Sequence, residues 1–148
     1  MQLSSKFTIG IHLLAVVEYL GEDEQVTSNV LAKSIGVNPV IVRNVMRDLK
    51  ETGIIVSSQG RSGITLAKPL DQISFYDVYQ AVDSAHEEGI FHFHEHPNPE
   101  CPIGRNIHTA MDEKLSRIQQ RMEDEMRAIT AADVMQDIRK ELKAQQGE

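Results

Sequence analysis

The stretch from Thr27 to Lys50 constrains the possible folds of this chain more tightly than any other. Thr27 and Asn38 are residue types that cap helix N-termini, accepting a hydrogen bond from a free amide two or three positions on, and Pro39 falls at the first helical position, where a missing N–H costs nothing. Between them Gly36 can take the left-handed conformation that ends a helix. These signals predict one helix over residues 28–35 and a second from 39 to about 52, stopped at Gly53. Two helices joined by so short a turn cross at a steep angle, which requires a small side chain where the backbones meet and apolar contacts on both sides. Ala32 is that small residue, and Leu31, Ile35, Val37, Val42 and Val45 supply the contacts. The segment reads as a helix-turn-helix.

A 3.6-residue period that turns Val42, Val45, Met46 and Leu49 inward turns Val40, Arg43, Asn44, Arg47 and Lys50 outward. Arginine pairs with guanine O6 and N7, asparagine with adenine N6 and N7, and valine can meet a thymine methyl. Arg43 and Asn44 are the candidate base readers and Val40 an apolar contact near the helix start. Arg47, Lys50, Ser57 and Ser58 are candidate phosphate contacts. Thr27, Ser28 and Asn38, at the two helix starts, complete the candidate DNA-binding set. Two short strands are predicted over 54–58 and 64–67, joined by Gln59-Gly60-Arg61-Ser62-Gly63, a glycine-bearing link suited to a tight hairpin. This hairpin reads as a wing, and Arg61 at its tip is placed to enter a minor groove.

A net charge of −7 argues against a nucleic-acid partner until it is divided along the chain. Residues 27–68 hold Lys33, Arg43, Arg47, Lys50, Arg61 and Lys68 against Asp48 and Glu51, a local excess of +4, and both flanks are acidic. Such a distribution turns the basic face toward phosphate and keeps the rest away. Several classes drop out. No stretch approaches the roughly 18 apolar residues of a membrane helix. The apolar run at 9–17 is broken by Gly10 and His12 and lacks a small-residue cleavage site, so a cytoplasmic protein with no membrane partner is expected. The single cysteine, Cys101, forms no disulfide within the chain and cannot hold an iron–sulfur cluster, which takes about four protein ligands. With no phosphate-cradling glycine loop and no nucleophile triad, catalysis is not expected.

Ser4 or Ser5 can cap a first helix carrying Phe7, Ile11, Leu14, Val17 and Leu20, and Ser74 another through Phe75, Val78, Tyr79 and Val82. Beyond a loop with three prolines, a long helix is predicted from about Ile107. There Ile107, Met111, Leu115, Ile118, Met122, Met126 and Ile129 recur at intervals of three and four and draw one apolar stripe. Those seven residues are the candidate dimer contacts. A further helix over about 131–144 carries Val134, Ile138 and Leu142. The expected fold class is mainly α with a small two-stranded wing. It comprises a winged helix-turn-helix over 1–83, a sensing loop over 84–106, and a dimerisation helix with a C-terminal helix over 107–148.

The helix-turn-helix at 28–47 is followed by Leu49-Lys50-Glu51-Thr52-Gly53-Ile54-Ile55-Val56-Ser57-Ser58, then Gly60-Arg61-Ser62-Gly63, Leu66-Ala67-Lys68 and the segment 73–82. Together these resemble the Rrf2 family of winged-helix regulators over about residues 1–110, and the long helix agrees in type. The resemblance implies a homodimer that binds partly palindromic double-stranded DNA as a repressor, with the loop before the long helix sensing a signal. The wing departs from the family pattern, carrying Ser62, Gly63 and Ile64 where two glycines and an aromatic residue are usual. Cluster-binding members carry three cysteines in the loop, and a chain with Cys101 alone resembles a cluster-free branch.

Three sensing chemistries are open to that loop. Cys101, close to a helix N-terminus and to Arg105, can be held as a thiolate and oxidised to a sulfenic acid or mixed disulfide. His92, His94 and His96 alternate, so an extended segment points all three one way, and with Cys101 and His86 they suit zinc or copper in a metal-responsive regulator. A small organic effector near Tyr76, Tyr79 and Phe91 is the third. The rival to the whole reading is a winged helix that binds protein instead of DNA.

Overall fold

In the computed structural model, which describes residues 4–60, 62–83 and 89–147, the helices form where local capping signals place them. Helix α1 (Ser5–Leu20) starts at Ser4, whose hydroxyl accepts the Lys6 amide at 3.1 Å. Helix α2 (Ser28–Ile35) is capped by Thr27, which accepts the Val30 amide at 3.3 Å, and α3 (Pro39–Glu51) by Asn38, which accepts the Val40 amide at 2.8 Å. Gly36, at φ 80° and ψ 33°, donates to the Ala32 carbonyl at 2.8 Å and ends α2 in the left-handed region. Strands β1 (Ile55–Ser57) and β2 (Ile64–Leu66) pair antiparallel, with Ile55 opposite Leu66 and Ser57 opposite Ile64. A 3-10 turn at Leu70–Gln72 leads into α4 (Phe75–Val82), where Ser74 and Asp77 form a capping box. The long helix α5 (Pro102–Ala128) and α6 (Ala131–Gln146) follow.

One core joins these elements. Leu13 and Leu14 of α1, Leu31 of α2, Val42, Val45 and Leu49 of α3, and Val78 of α4 are fully buried together with Ile54, Ile55 and Ile64 of the wing. α1 lies against α4 at Gly10, where a Cβ would stand 2.9 Å from a Val78 methyl carbon. The junction of α5 and α6 is tied to the start of α4, since Phe75 donates to the Ile129 carbonyl and Ala131 to the Ile73 carbonyl, both at 2.8 Å. This tie turns α6 back onto α1. Ala131 and Met135 join the same core, and Arg139 stands 3.7 Å from Glu18.

Helix α5 starts at Pro102, not near Ile107. The Cys101 amide donates to the Asn98 carbonyl at 3.2 Å, the Cys101 sulfur accepts the Gly104 amide at 3.5 Å, and Pro102 takes the first helical position. Gly104 has no room for a side chain, because a Cβ would stand 2.8 Å from the Asn98 carbonyl oxygen. A proline and a glycine that read as loop are therefore the first turn of a helix pressed against the loop. The earlier start adds Ile103, four residues before Ile107, to the apolar stripe. The stripe is unevenly covered, with Met126 buried but Ile103 and Ile118 72% and 51% exposed.

α5 packs on α4. Arg127 places its guanidinium 3.9 Å from the centre of the Tyr76 ring, and Tyr79 is fully buried. Burial first, and then the negative charges of Glu123 and Asp83, push the Tyr79 hydroxyl up to about 12. The Tyr76 and Tyr79 rings stand 6.0 Å apart between their centroids.

Candidate nucleic-acid interface

The wing stands beside α3 because its return strand is pinned to the residue before the α2 cap. The Ile64 amide donates to the Val26 carbonyl at 3.0 Å. Gly63 adopts φ +110°, and a Cβ there would stand 2.9 Å from the Val26 carbonyl oxygen and 3.0 Å from its nitrogen. Both the backbone conformation and the close approach demand glycine. A Gly63→Ala variant is expected to lose about 1–3 kcal/mol of stability through strain at the wing. Chemical denaturation followed by circular dichroism reads this loss, and an unchanged midpoint would mean that the wing is free to shift away from Val26.

Between α3 and the wing runs a groove lined by Thr27, Ser28, Arg43, Arg47, Lys50, Ser57, Ser62 and Gly63, with Glu51 as its one acidic side chain. Arg43, Arg47 and Lys50 are exposed. Their intervals of four and three residues put the three cations on one face of α3. Arg47 stands 3.8 Å from Asp48 yet keeps 62% of its side chain exposed, a weak surface pair that leaves the guanidinium accessible. Val40, on the first turn, is 52% exposed, and Asn44 is half-buried. Thr27 and Asn38 use their side-chain oxygens on helix caps. Arg61 lies outside the described residues.

Ile41 is the surface residue of α3 that sequence reasoning missed, at 40% exposure. The helical period places it about 40° from Val45, on the inward side, so no sequence signal marks it. Val42, in the same turn, is fully buried, so Ile41 marks the edge of the buried face.

The loop before α5 holds the other candidates. Cys101 is half-buried and caps the helix. The Gly104 amide, and after it the Ile103 amide, hold its thiol below the usual cysteine range by stabilising the thiolate. Phe93 packs on the His108 ring at 4.5 Å between centroids, and His94 meets the same ring edge-on at 5.2 Å. His92 and His94 are exposed. His96, with its side chain 93% exposed, stands 3.7 Å from Glu95. His86 lies outside the described residues.

A helix-turn-helix with a hairpin beside its second helix, and a cationic groove between the two, is a winged-helix DNA-binding fold. The chain belongs to the Rrf2 family, described as iron-dependent transcriptional regulators, whose model matches residues 3–137. It is thus a transcriptional regulator of a DNA-binding family, not an enzyme. It is 37% identical over 90% of its length to YwnA of Bacillus subtilis (strain 168), provisionally named an HTH-type transcriptional regulator, and covers 96% of that protein. A crystal structure provisionally described as a DNA-binding protein is 34% identical, with a TM-score of 0.70 over 88% of this chain and 99% of the other. CymR, the global cysteine regulator of B. subtilis, shares the fold at 13% identity, with a TM-score of 0.67 over 92% of this chain and 97% of CymR. Among the described residues no helix is long and apolar enough to cross a membrane.

Among the described residues the donors do not fit the iron of the family description. Among the described residues no three His, Cys, Asp or Glu side chains are grouped to hold a metal ion, so His92, His94, His96 and Cys101 are not brought together as one. Cys101 is the single thiol of the chain.

Proposed function

We propose that the protein represses transcription as a homodimer, each subunit laying α3 in a major groove of a partly palindromic operator with the wing against the adjoining backbone. The observation that carries this reading is the groove in which Arg43, Arg47 and Lys50 face the serines of the wing. Pairing along α5 is supported by Ile103 and Ile118, apolar residues of one stripe that a single subunit leaves more than half exposed. Selection from random double-stranded DNA, followed by titration of the selected duplex at several salt concentrations, tests the reading, with light scattering giving the mass of the protein. Expected are a dimer, two half-sites about one helical turn apart, and an affinity that falls linearly with salt on logarithmic axes. A monomer, or binding without sequence preference, sinks the proposal.

Cys101 is the switch in this reading, supported by its place as the cap of α5 and by the two amides that favour its thiolate. The thiolate sulfur attacks one oxygen of a hydroperoxide, an S–O bond forms as the O–O bond breaks, and the leaving hydroxide or alkoxide takes up a proton. The sulfur is oxidised by two electrons to sulfenic acid and the peroxide is reduced. The added oxygen crowds the first turn of α5, whose Gly104 already touches Asn98. Hydrogen peroxide is expected to weaken operator binding of the wild type roughly ten-fold or more, within the usual range of coupling between sites. The Cys101→Ser protein is expected to be unaffected. Equal loss in both proteins would place the switch elsewhere.

A further inference from the structure

A second groove, of about 580 Å³, lies between α1, α2 and α6 and takes no part in the functions described so far. Its walls hold Tyr19, Val30 and Ile138, at 63%, 39% and 37% exposure, three of the eight large apolar side chains left exposed among the described residues. The other five lie on α3, the wing and α5, away from this groove, so these three form an apolar cluster of their own. No Asp or Glu lines the groove, although the chain carries 22 acidic residues against 15 basic ones, and Lys33 is the cationic side chain that does. His12 Nε2 and Ser34 Oγ, 3.1 Å apart, link α1 to α2 across it.

We propose that this groove binds a small apolar carboxylate, an aromatic acid or a carboxylate on a chain of several carbons. The apolar walls take the hydrocarbon, Lys33 pairs with the carboxylate, and the His12–Ser34 pair offers a second polar contact. The volume is within the roughly 300–1,000 Å³ common for small-molecule sites. Because α2 is the first helix of the DNA-reading pair, an occupant touching α2 and α6 biases how the reader is held on the rest of the subunit. That consequence rests on the DNA-binding reading, whereas the binding itself does not.

The test is a methyl-labelled full-length protein followed by NMR while octanoate and benzoate, and separately their neutral counterparts octanol and benzyl alcohol, are titrated in. Saturable shifts are expected at the methyls of Val30, Ile138 and Leu142 and not at Ile103 or Val56. Lys33→Gln is expected to weaken octanoate about five-fold, the upper range of an exposed ion pair, and to leave octanol unchanged. Ser34→Trp is expected to fill the groove and abolish binding, with circular dichroism confirming its helices. No saturation below roughly 10 mM, equal affinity for acid and alcohol, or shifts centred on Ile103 and Ile118 would overturn the proposal. So would groove methyls that shift with protein concentration alone, since a second copy would then be the occupant. Operator titration with and without octanoate reads the consequence for DNA separately, so failure of either leaves the other decided.

Discussion

A protein carrying Arg43→Ala, Arg47→Ala and Lys50→Ala together is expected to lose operator affinity roughly a thousand-fold, about ten-fold for each cation removed. The three side chains are exposed on one face of α3 and line the groove beside the wing, so they carry the positive charge of that surface. Their roles are expected to be separable. Arg43 lies nearest the helix start and is the proposed base reader, so Arg43→Ala alone is expected to relax preference at one operator position. Arg47→Ala and Lys50→Ala are expected to weaken all sequences alike, each lowering the salt dependence by about one unit of slope. Fluorescence anisotropy of labelled duplexes at several salt concentrations measures both effects. Wild-type affinity in the triple variant would remove α3 from the interface. The thermal midpoint is expected to stay near that of the wild type, because none of the three contributes to the core.

The opposite face of the same helix gives the second large effect. Leu49 is fully buried, and its carbonyl accepts the Ile54 amide at 3.0 Å where the chain turns from α3 into the wing. Leu49→Ala removes side-chain volume that α1, α3 and the wing jointly enclose, and is expected to cost about 2–5 kcal/mol. For a chain of this size that lowers the thermal midpoint on the order of 10 °C. Ile103→Ala, at a site 72% exposed in a single subunit, is the matched comparison and is expected to change the midpoint little while weakening dimerisation. Scanning calorimetry with light scattering separates the two. A shift of only a degree or two for Leu49→Ala would show that its site collapses after truncation.

These two predictions divide one helix by face, and that division was legible before any coordinates. The inward set Val42, Val45, Met46 and Leu49 is buried, and the outward set Val40, Arg43, Arg47 and Lys50 is exposed. Asn44 is half-buried. Ile41 is the exception, because it lies at the edge of the buried face, about 40° from Val45 but about 100° from Val42. The long helix shows the same boundary. Six of its seven stripe residues are buried or half-buried and Ile118 is exposed, but the extra turn through Ile103 depends on Cys101, Pro102 and Gly104 meeting Asn98. Such a contact is made by loop geometry and leaves no periodic trace. The histidines of the loop show the limit from the other side. Their alternation suggests convergence, yet His94 turns to the His108 ring and His96 to Glu95.

Capping residues, helix phases, the tight turn at Gly36 and the charge of the reading face belong to the sequence by itself, because each depends on residues within about four positions of one another. The tertiary structure alone decided where α6 goes. Its weak stripe of Val134, Ile138 and Leu142 is compatible with solvent, a partner or the subunit's own core. The two hydrogen bonds between residues 73–75 and 129–131 select the last of these by turning α6 onto α1. That fold-back also made the groove edged by Lys33 and His12, from segments more than 100 residues apart in the chain. Contacts between segments so distant depend on how whole faces fit, and no local pattern encodes that fit.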